Sequence, residues 1–228
     1  MMLSDVMEDY LKAVYQLQQE HEGRVKTSAI AEELDVTAPT VTSMLEKLEE
    51  RGLVDRKKYH GVTLSDEGET VALEVIRHHR LLEAYLTEHL DYDWSEVHEE
   101  ADRLEHHISE DFEERVAAAL GDPAVDPHGA PIPGADLEPP GTPTGQTLSE
   151  STNATHVVVK EVADDDADVL SYLAEHGVEP GVTLEIREVA PFGMITVCPV
   201  EVDDGTEVSL PVDVARHIRV REDVPVES

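Results

Sequence analysis

Between residues 77 and 107 the chain sets six of its twelve histidines among carboxylates at helical intervals, and this stretch constrains everything else. In RHHRLLEAYL, His79 and Glu83 stand four apart, so on a helix both project from one face. After a short break, VHEEADRLEHH places His98, Asp102, Glu105 and His106 at spacings of three and four, again one face of one helix. Apolar residues at Leu81, Leu82, Tyr85 and Leu86, then at Val97, Ala101, Leu104 and Ile108, mark both segments as packed helices. Two such helices with a short connection predict an antiparallel pair, with imidazoles and carboxylates converging between them. That donor set, mainly oxygen with some nitrogen and no thiolate, suits a divalent first-row metal such as Mn2+ or Fe2+. Spacing alone leaves a second reading open, because charged pairs four apart are also ordinary on solvated helices.

The segment before it reads as a winged helix-turn-helix. Ser4 is placed to cap a first helix with Met7, Leu11 and Val14 on its apolar stripe and Asp9 off it. Thr27 or Ser28 is placed to cap SAIAEEL, Asp35 to Thr37 makes a turn, and a second short helix follows with Pro39 in its first turn. That helix buries Val41, Met44, Leu45 and Leu48 and stops at Gly52. Two short helices joined by such a turn predict a DNA-reading unit. Leu53–Val54 and Val62–Leu64 then predict strands flanking Arg56, Lys57, Lys58, Tyr59, His60 and Gly61, the densest basic cluster in the chain. The candidate DNA contacts are Thr27, Thr37, Pro39, Thr40, Thr42, Ser43 and Lys47, with Arg56, Lys57, Lys58 and His60 of the wing. Ser65 caps the long helix that carries His79 and Glu83.

Charge both supports and complicates this reading. The formal net charge is −34, yet residues 1–75 hold 8 basic and 16 acidic residues against 9 and 35 in the remainder. DNA contacts therefore belong to the first part, although phosphate attraction is weaker there than usual. An acidic, lysine-poor surface over a patterned core is the composition expected in a very salty cytoplasm, as in a halophilic archaeon. There the Debye length shrinks to about 3 Å at 1 M salt and self-repulsion is tolerated. The single Cys198 excludes an intrachain disulfide framework, and no apolar run approaches a membrane span or a signal peptide. A cytoplasmic protein is expected.

Beyond the paired helices, the second is expected to run on through FEERVAAAL to Gly121 with a kink near Ser109. Residues 122–152 are rich in Pro, Gly, Thr and Ser and read as an extended linker, within which DPHGAPIPG predicts an ordered turn. From His156 the pattern is β: HVVVKEV, VTLEIREVA, MITVCPVEV, TEVSL and HIRVRE are strands, DADVLSYLAEHG a helix, and Asp204–Gly205 a hairpin turn. Five short strands and one helix predict a small SH3-like barrel. The acidic run from Asp164 to Asp168 reads as a solvated helix start, with metal ligation as the alternative. The fold class is thus α+β and multidomain: a winged helix-turn-helix (1–65), a helical metal-binding and dimerisation domain (66–121), a linker (122–152) and an SH3-like β-barrel (153–228).

The order of these parts resembles the diphtheria-toxin-repressor family of metal-dependent transcriptional regulators. The likeness rests on MEDYLKAVYQL, IAEELDVTAPTVTSMLEKLEERGLV, RHHRLLEAYL, VHEEADRLEHHIS and DPHGAPIPG, and it covers nearly the whole chain. The barrel also resembles the small domain associated with ferrous-iron transport proteins. The resemblance implies a recognition helix at Pro39, Thr40, Thr42 and Ser43 with Thr37 near a phosphate. It implies metal ligands at Asp9, His79, Glu83, His98, Asp102, Glu105 and His106, in two sites per subunit, with Asp166 of the barrel as a further ligand. Iron-type members have Met where this chain has Asp9 and Cys where it has Asp102, whereas manganese-type members have carboxylates at both. Hard oxygen donors favour Mn2+, with Fe2+ as the alternative. Lys12 departs from the manganese pattern, standing where a second carboxylate of the first helix is expected. The third domain and the His79, Glu83, His98 set are more typical of iron-type members.

The mechanism this implies is a metal that ties Asp9 on the first helix to ligands behind it and fixes the spacing of two recognition helices in a homodimer on operator DNA. The regulated genes would be those of metal uptake. No membrane partner, small organic substrate or catalytic residue is expected. A metal-independent winged-helix regulator is the competing class. A metallohydrolase is disfavoured because no nucleophile or phosphate-binding loop accompanies the cluster.

Overall fold

A computed structural model describes residues 3–20, 23–140, 145–151, 155–163, 166–191, 193–200 and 207–223. The chain divides into two compact units. Unit 1 comprises Met1–His79, Leu104–Glu113 and Pro133–Thr142, and unit 2 comprises Arg80–Arg103, Glu114–Ile132 and Pro143–Ser228.

Unit 1 opens with α1 (Asp5–Glu20), α2 (Thr27–Glu33) and α3 (Ala38–Glu50), followed by the hairpin β1 (Val54–Lys57) and β2 (Gly61–Leu64) and the start of α4 (Asp66–Leu90). The apolar stripe expected on α1 is buried, and Leu11, Val14, Ile30, Val41, Leu45, Leu48, Val62, Leu73 and Ile76 form one core. Truncating a fully buried leucine such as Leu45 to alanine costs about 2–5 kcal/mol, so the inner face of α3 contributes strongly to this core. The antiparallel wing pairs Val54 with Leu64 through Lys57 with Gly61, and Val25 adds a two-way backbone bridge to Val62. The strands are longer than the sequence pattern indicates, so Arg56 and Lys57 lie within β1 and not in the connecting turn.

Capping at the start of α2 also differs. Thr27 is its first residue and exposed Lys26 occupies the cap position without a side-chain bond, so neither Thr27 nor Ser28 caps it. Ser65 does cap α4: its hydroxyl accepts from Gly68 N at 3.0 Å and its carbonyl from Glu69 N at 2.8 Å.

The helix expected to run from His98 to Gly121 is broken in two. Within it, α5 (Val97–Leu104) ends in a turn and α6 (Glu110–Ala119) starts afresh. Ser109 is the cause, since its hydroxyl accepts from Phe112 N and its carbonyl from Glu113 N, the bonds of an N-cap. A side chain that satisfies the first orphan amides begins a helix and does not merely bend one. Glu105 and His106 consequently sit in the turn that follows α5 and not on a helix.

Unit 2 holds two apolar clusters. Leu81, Val116, Ala117 and Ile132 form the smaller. The larger fills a six-stranded antiparallel sheet of β3 (Gln146–Thr147), β4 (His156–Val162), β5 (Thr183–Ala190), β6 (Met194–Pro199), β7 (Val208–Pro211) and β8 (Ile218–Glu222), ordered β3-β8-β4-β5-β6-β7. The SH3-like domain thus has six strands where five were expected. The additional one, β3, comes from the stretch read as linker and brings fully buried Leu148 with it. Helix α7 (Ala167–Glu175) follows β4 as predicted, and the one-turn α8 (Val212–Ala215) precedes β8. The Asp204–Gly205 hairpin lies outside the described residues, as do Asp164 and Asp165 of the acidic run. No helix among the described residues is long and apolar enough to cross a membrane.

Candidate metal centre

In unit 1 the ligand candidates converge on the turn after α5. The His106 ring is clasped between two carboxylates of α1, with Nδ1 2.8 Å from Glu8 Oε2 and Nε2 2.8 Å from Asp9 Oδ1. Glu105 Oε1 lies 3.4 Å from the same Nε2. Asp9, Glu105 and His106 therefore present one nitrogen and two oxygens within 4.8 Å of one another, while Glu105 itself is buried. Both ring nitrogens face acceptors, which favours the imidazolium. The hydrogen bond to Asp9 raises the His106 pKa to about 9 against the opposing effect of burial, with Glu8 and the charge of Glu105 adding to the rise.

A pH dependence follows. The folded-state pKa of His106 exceeds the ordinary value of 6.5, so its contribution to stability is complete below that pH and is lost as pH rises through about 9. Thermal melts of metal-free protein in chelator should show the melting temperature of unit 1 falling from pH 7 to pH 9.5. A flat profile counts against the clasp.

Glu105 Oε2 accepts from the other side. Lys12 Nζ is 2.8 Å away and His79 Nδ1 2.6 Å away, and Lys12 Nζ is also 3.2 Å from His79 Nδ1. Around them His78 contacts Glu113 at 3.2 Å and Arg77 donates to Glu113 at 2.5 Å and to the Pro133 carbonyl at 2.6 Å.

In unit 2, Glu83 is buried and central. Its Oε1 lies 3.2 Å from His98 Nδ1, and His98 Nε2 lies 3.5 Å from Asp102 Oδ2. Glu83 Oε2 lies 3.7 Å from Nδ1 of fully buried His128, and Glu83, Asp126 and His128 form a second convergent trio. The DPHG turn builds it: Asp126 Oδ1 accepts from His128 N and Ala130 N, both at 2.9 Å. His128 Nε2 contacts the Trp94 carbonyl at 2.9 Å, so Nε2 carries a proton and donates it there. Two buried carboxylates side by side need compensating charge. Arg80 supplies one cation, its Nε 3.5 Å from Asp126 Oδ2. Asp126 and His128 are not among the ligands that the sequence pattern suggests, although it does predict an ordered turn at DPHG.

Asp166 is not brought to either group. It is exposed and caps α7, accepting from Asp168 N at 3.0 Å and Val169 N at 3.1 Å. Among the described residues it joins no convergent set.

On the DNA-reading side, Thr37, Pro39, Thr40, Ser43 and Lys47 are exposed along the start and outer face of α3. Thr37 and Thr40 share a hydroxyl contact at 2.8 Å, and Thr42 donates to the Ala38 carbonyl, which orients it along its own helix. Thr27 and Thr42 line a groove of about 720 Å³ with Lys26, Lys57 and Lys58. Arg56 is the exception among the wing candidates, being paired with Glu46 at 3.7 Å and Glu49 at 3.5 Å on α3. Lys57, Lys58 and His60 are exposed, and Lys58 lies over the ring of Tyr59 at the wing tip. Lys26 and Tyr59 also line this surface.

Comparison with known proteins agrees with the order of parts. Family models described as "Iron dependent repressor, N-terminal DNA binding domain", "Iron dependent repressor, metal binding and dimerisation domain" and "FeoA domain" match residues 2–62, 65–134 and 146–222. The chain is 31% identical to the iron-dependent repressor IdeR of Mycobacterium tuberculosis, covering 96% of this chain and 97% of the relative. It is 33% identical to the diphtheria toxin repressor of Corynebacterium glutamicum, covering 96% of each. A solved structure described as a manganese-dependent transcriptional repressor in complex with manganese is 38% identical, with a TM-score of 0.87 over 95% of this chain and 99% of that one. The chain belongs to the diphtheria-toxin-repressor family of metal-dependent transcriptional repressors.

Proposed function

We propose that this protein represses transcription as a homodimer on operator DNA when Mn2+ is bound at a centre built on Asp9, Glu105 and His106. The observation that carries the reading is the convergence of Asp9 Oδ1 and Glu105 Oε1 on His106 Nε2 within unit 1. Asp9 belongs to the first helix of the DNA-reading fold, whereas Glu105 and His106 belong to a turn 96 residues and more further along the chain. A bound divalent cation supplies the charge that holds these donors together. Asp9 would fix α1 to the turn, and Glu105 and the neutral His106 ring would complete the donor set that holds the ion.

A second ion is proposed at Glu83, with His98, Asp126 and His128 as the donors available to it. Carboxylates at Asp9 and Asp102 support Mn2+ over Fe2+ as the preferred metal, since neither position offers sulfur. Exposed Thr40, Ser43 and Lys47 read the major groove, and Lys26, Lys57 and Lys58 contact phosphate. The dimer presents two such surfaces to a palindromic site. The protein acts in the cytoplasm, controlling metal-uptake genes.

The experiment is DNA binding to the region upstream of the protein's own gene, at high salt, with full-length protein stripped of metal and then reloaded. Mn2+ should restore binding at lower concentration than Fe2+ added anaerobically. Preference for Fe2+ overturns the metal assignment and keeps the repressor. Binding indifferent to both metals overturns the regulatory reading.

A further inference from the structure

We infer that Lys12 is a tethered cation that competes with the metal for Glu105 and so sets the metal concentration at which the protein switches. This rests on the reading of Glu105 as a ligand. Lys12 Nζ reaches both oxygens of that carboxylate, at 3.1 Å and 2.8 Å, and is 3.2 Å from His79 Nδ1. The Glu105 side chain is 2% exposed and that of Lys12 only 13%, so the pair is formed out of bulk water, where charges act strongly on one another.

The placement has a helical cause. Lys12 stands three residues after Asp9 on α1, the separation that puts both side chains on one face. Asp9 thus reaches one side of the Glu105–His106 turn and Lys12 the other. One helix carries both a ligand for the incoming cation and a resident cation that already neutralises the turn. In the metal-free protein the ammonium bonds both oxygens of Glu105, a buried carboxylate that also meets the His79 and His106 rings. A divalent ion must displace that bond and then sit beside a like charge, and both effects weaken its binding. An uncharged side chain of similar length removes both. Arginine retains the charge, so it keeps the competition.

The test is direct Mn2+ binding to the full-length dimer, read from the electron paramagnetic resonance signal of free Mn2+, for wild type, K12M and K12R. Chemical melts in chelator are run in parallel. We expect the higher-affinity Mn2+ site of K12M to tighten about tenfold or more, while K12R stays within about threefold of wild type. Metal-free K12M should melt earlier than wild type, and the gap should close once Mn2+ is added. Should K12M not fold without metal, K12Q is measured in its place with the same expectation. Unchanged or weaker Mn2+ binding by folded K12M or K12Q overturns the competition and makes Lys12 a support for Glu105. Failure of wild type and all variants alike to bind Mn2+ overturns the metal reading itself, and this inference with it.

Discussion

Replacing Asp9 with alanine should abolish metal-activated DNA binding while leaving the winged helix folded. Asp9 lies off the apolar stripe of α1 and its side chain is 42% exposed, so no core contact is lost with it. Alanine is also the better helix former, by a few tenths of a kcal/mol, which partly offsets the lost bond to His106. The electrostatic effect is much larger. In the proposed centre Asp9 is the donor on the DNA-reading helices, and His106 Nε2 lies 2.8 Å from it. Removing a ligand should weaken Mn2+ binding by at least the roughly 10–100-fold that loss of an outer-shell partner costs. The variant also has a signature independent of DNA. The bond to Asp9 is the largest cause of the raised His106 pKa, so the imidazole should titrate lower in D9A, seen by NMR of its ring proton in metal-free protein. Metal-free D9A should melt earlier than wild type at pH 7, and the two should converge as pH rises past about 9. Wild-type metal activation in D9A would show that the metal does not act through the first helix.

The same residues show what the sequence can and cannot reveal. Periodicity identified the helices because their buried faces are long: α1, α3 and α4 each place apolar residues at three- and four-residue intervals against one core. It failed at Ser109, where a single hydroxyl outweighs a continuing apolar pattern by capping a new helix. That one break decides the geometry of the site. In the turn, His106 reaches back to Glu8 and Asp9 across 98 and 97 residues of chain. Long-range partners of this kind leave no trace in local spacing. Lys12 illustrates the limit well, since the sequence shows only a missing carboxylate, while the structure shows a cation bonded to Glu105.

The candidate DNA surface was legible for a different reason. Exposed polar residues at a helix start can be read directly, but which of the basic residues are neutralised cannot. Arg56 is paired with Glu46 and Glu49, and Arg24 with Asp55, whereas Lys57 and Lys58 remain exposed. In so acidic a chain the nearest carboxylates decide which cations still face outward. The short strand β3 was missed because two residues carry no alternation to detect, although Leu148 beside it is fully buried.

Gly129→Ala should be the most damaging small substitution in unit 2, and it should remove one metal ion per subunit without touching a ligand. Gly129 has φ +89, where an L side chain is strained, and a Cβ there would meet the Lys160 carbonyl oxygen at 2.0 Å and its carbon at 2.9 Å. Those atoms belong to the backbone of β4, so no side-chain rotation relieves the overlap. The turn would have to lift from the strand, and the bond from Val162 N to the His128 carbonyl at 2.9 Å would go with it. The expected cost is roughly 3–5 kcal/mol, in the range of severe single substitutions. Gly121 provides the control. It has φ +73 with nothing within 4 Å of a built Cβ, so G121A carries backbone strain alone, about 1 kcal/mol. The difference between the two variants measures the close approach itself. Because Asp126 Oδ1 holds His128 N and Ala130 N, a displaced turn also carries His128 Nδ1 away from Glu83. Mn2+ titration of folded G129A should therefore lose the site that includes Glu83 and keep the one at Asp9, whereas G121A should keep both. If G129A melts with G121A, the turn is not held against β4. If it melts early yet binds two ions, Asp126 and His128 are no part of the second site, and its ligands are those of α4 and α5 alone.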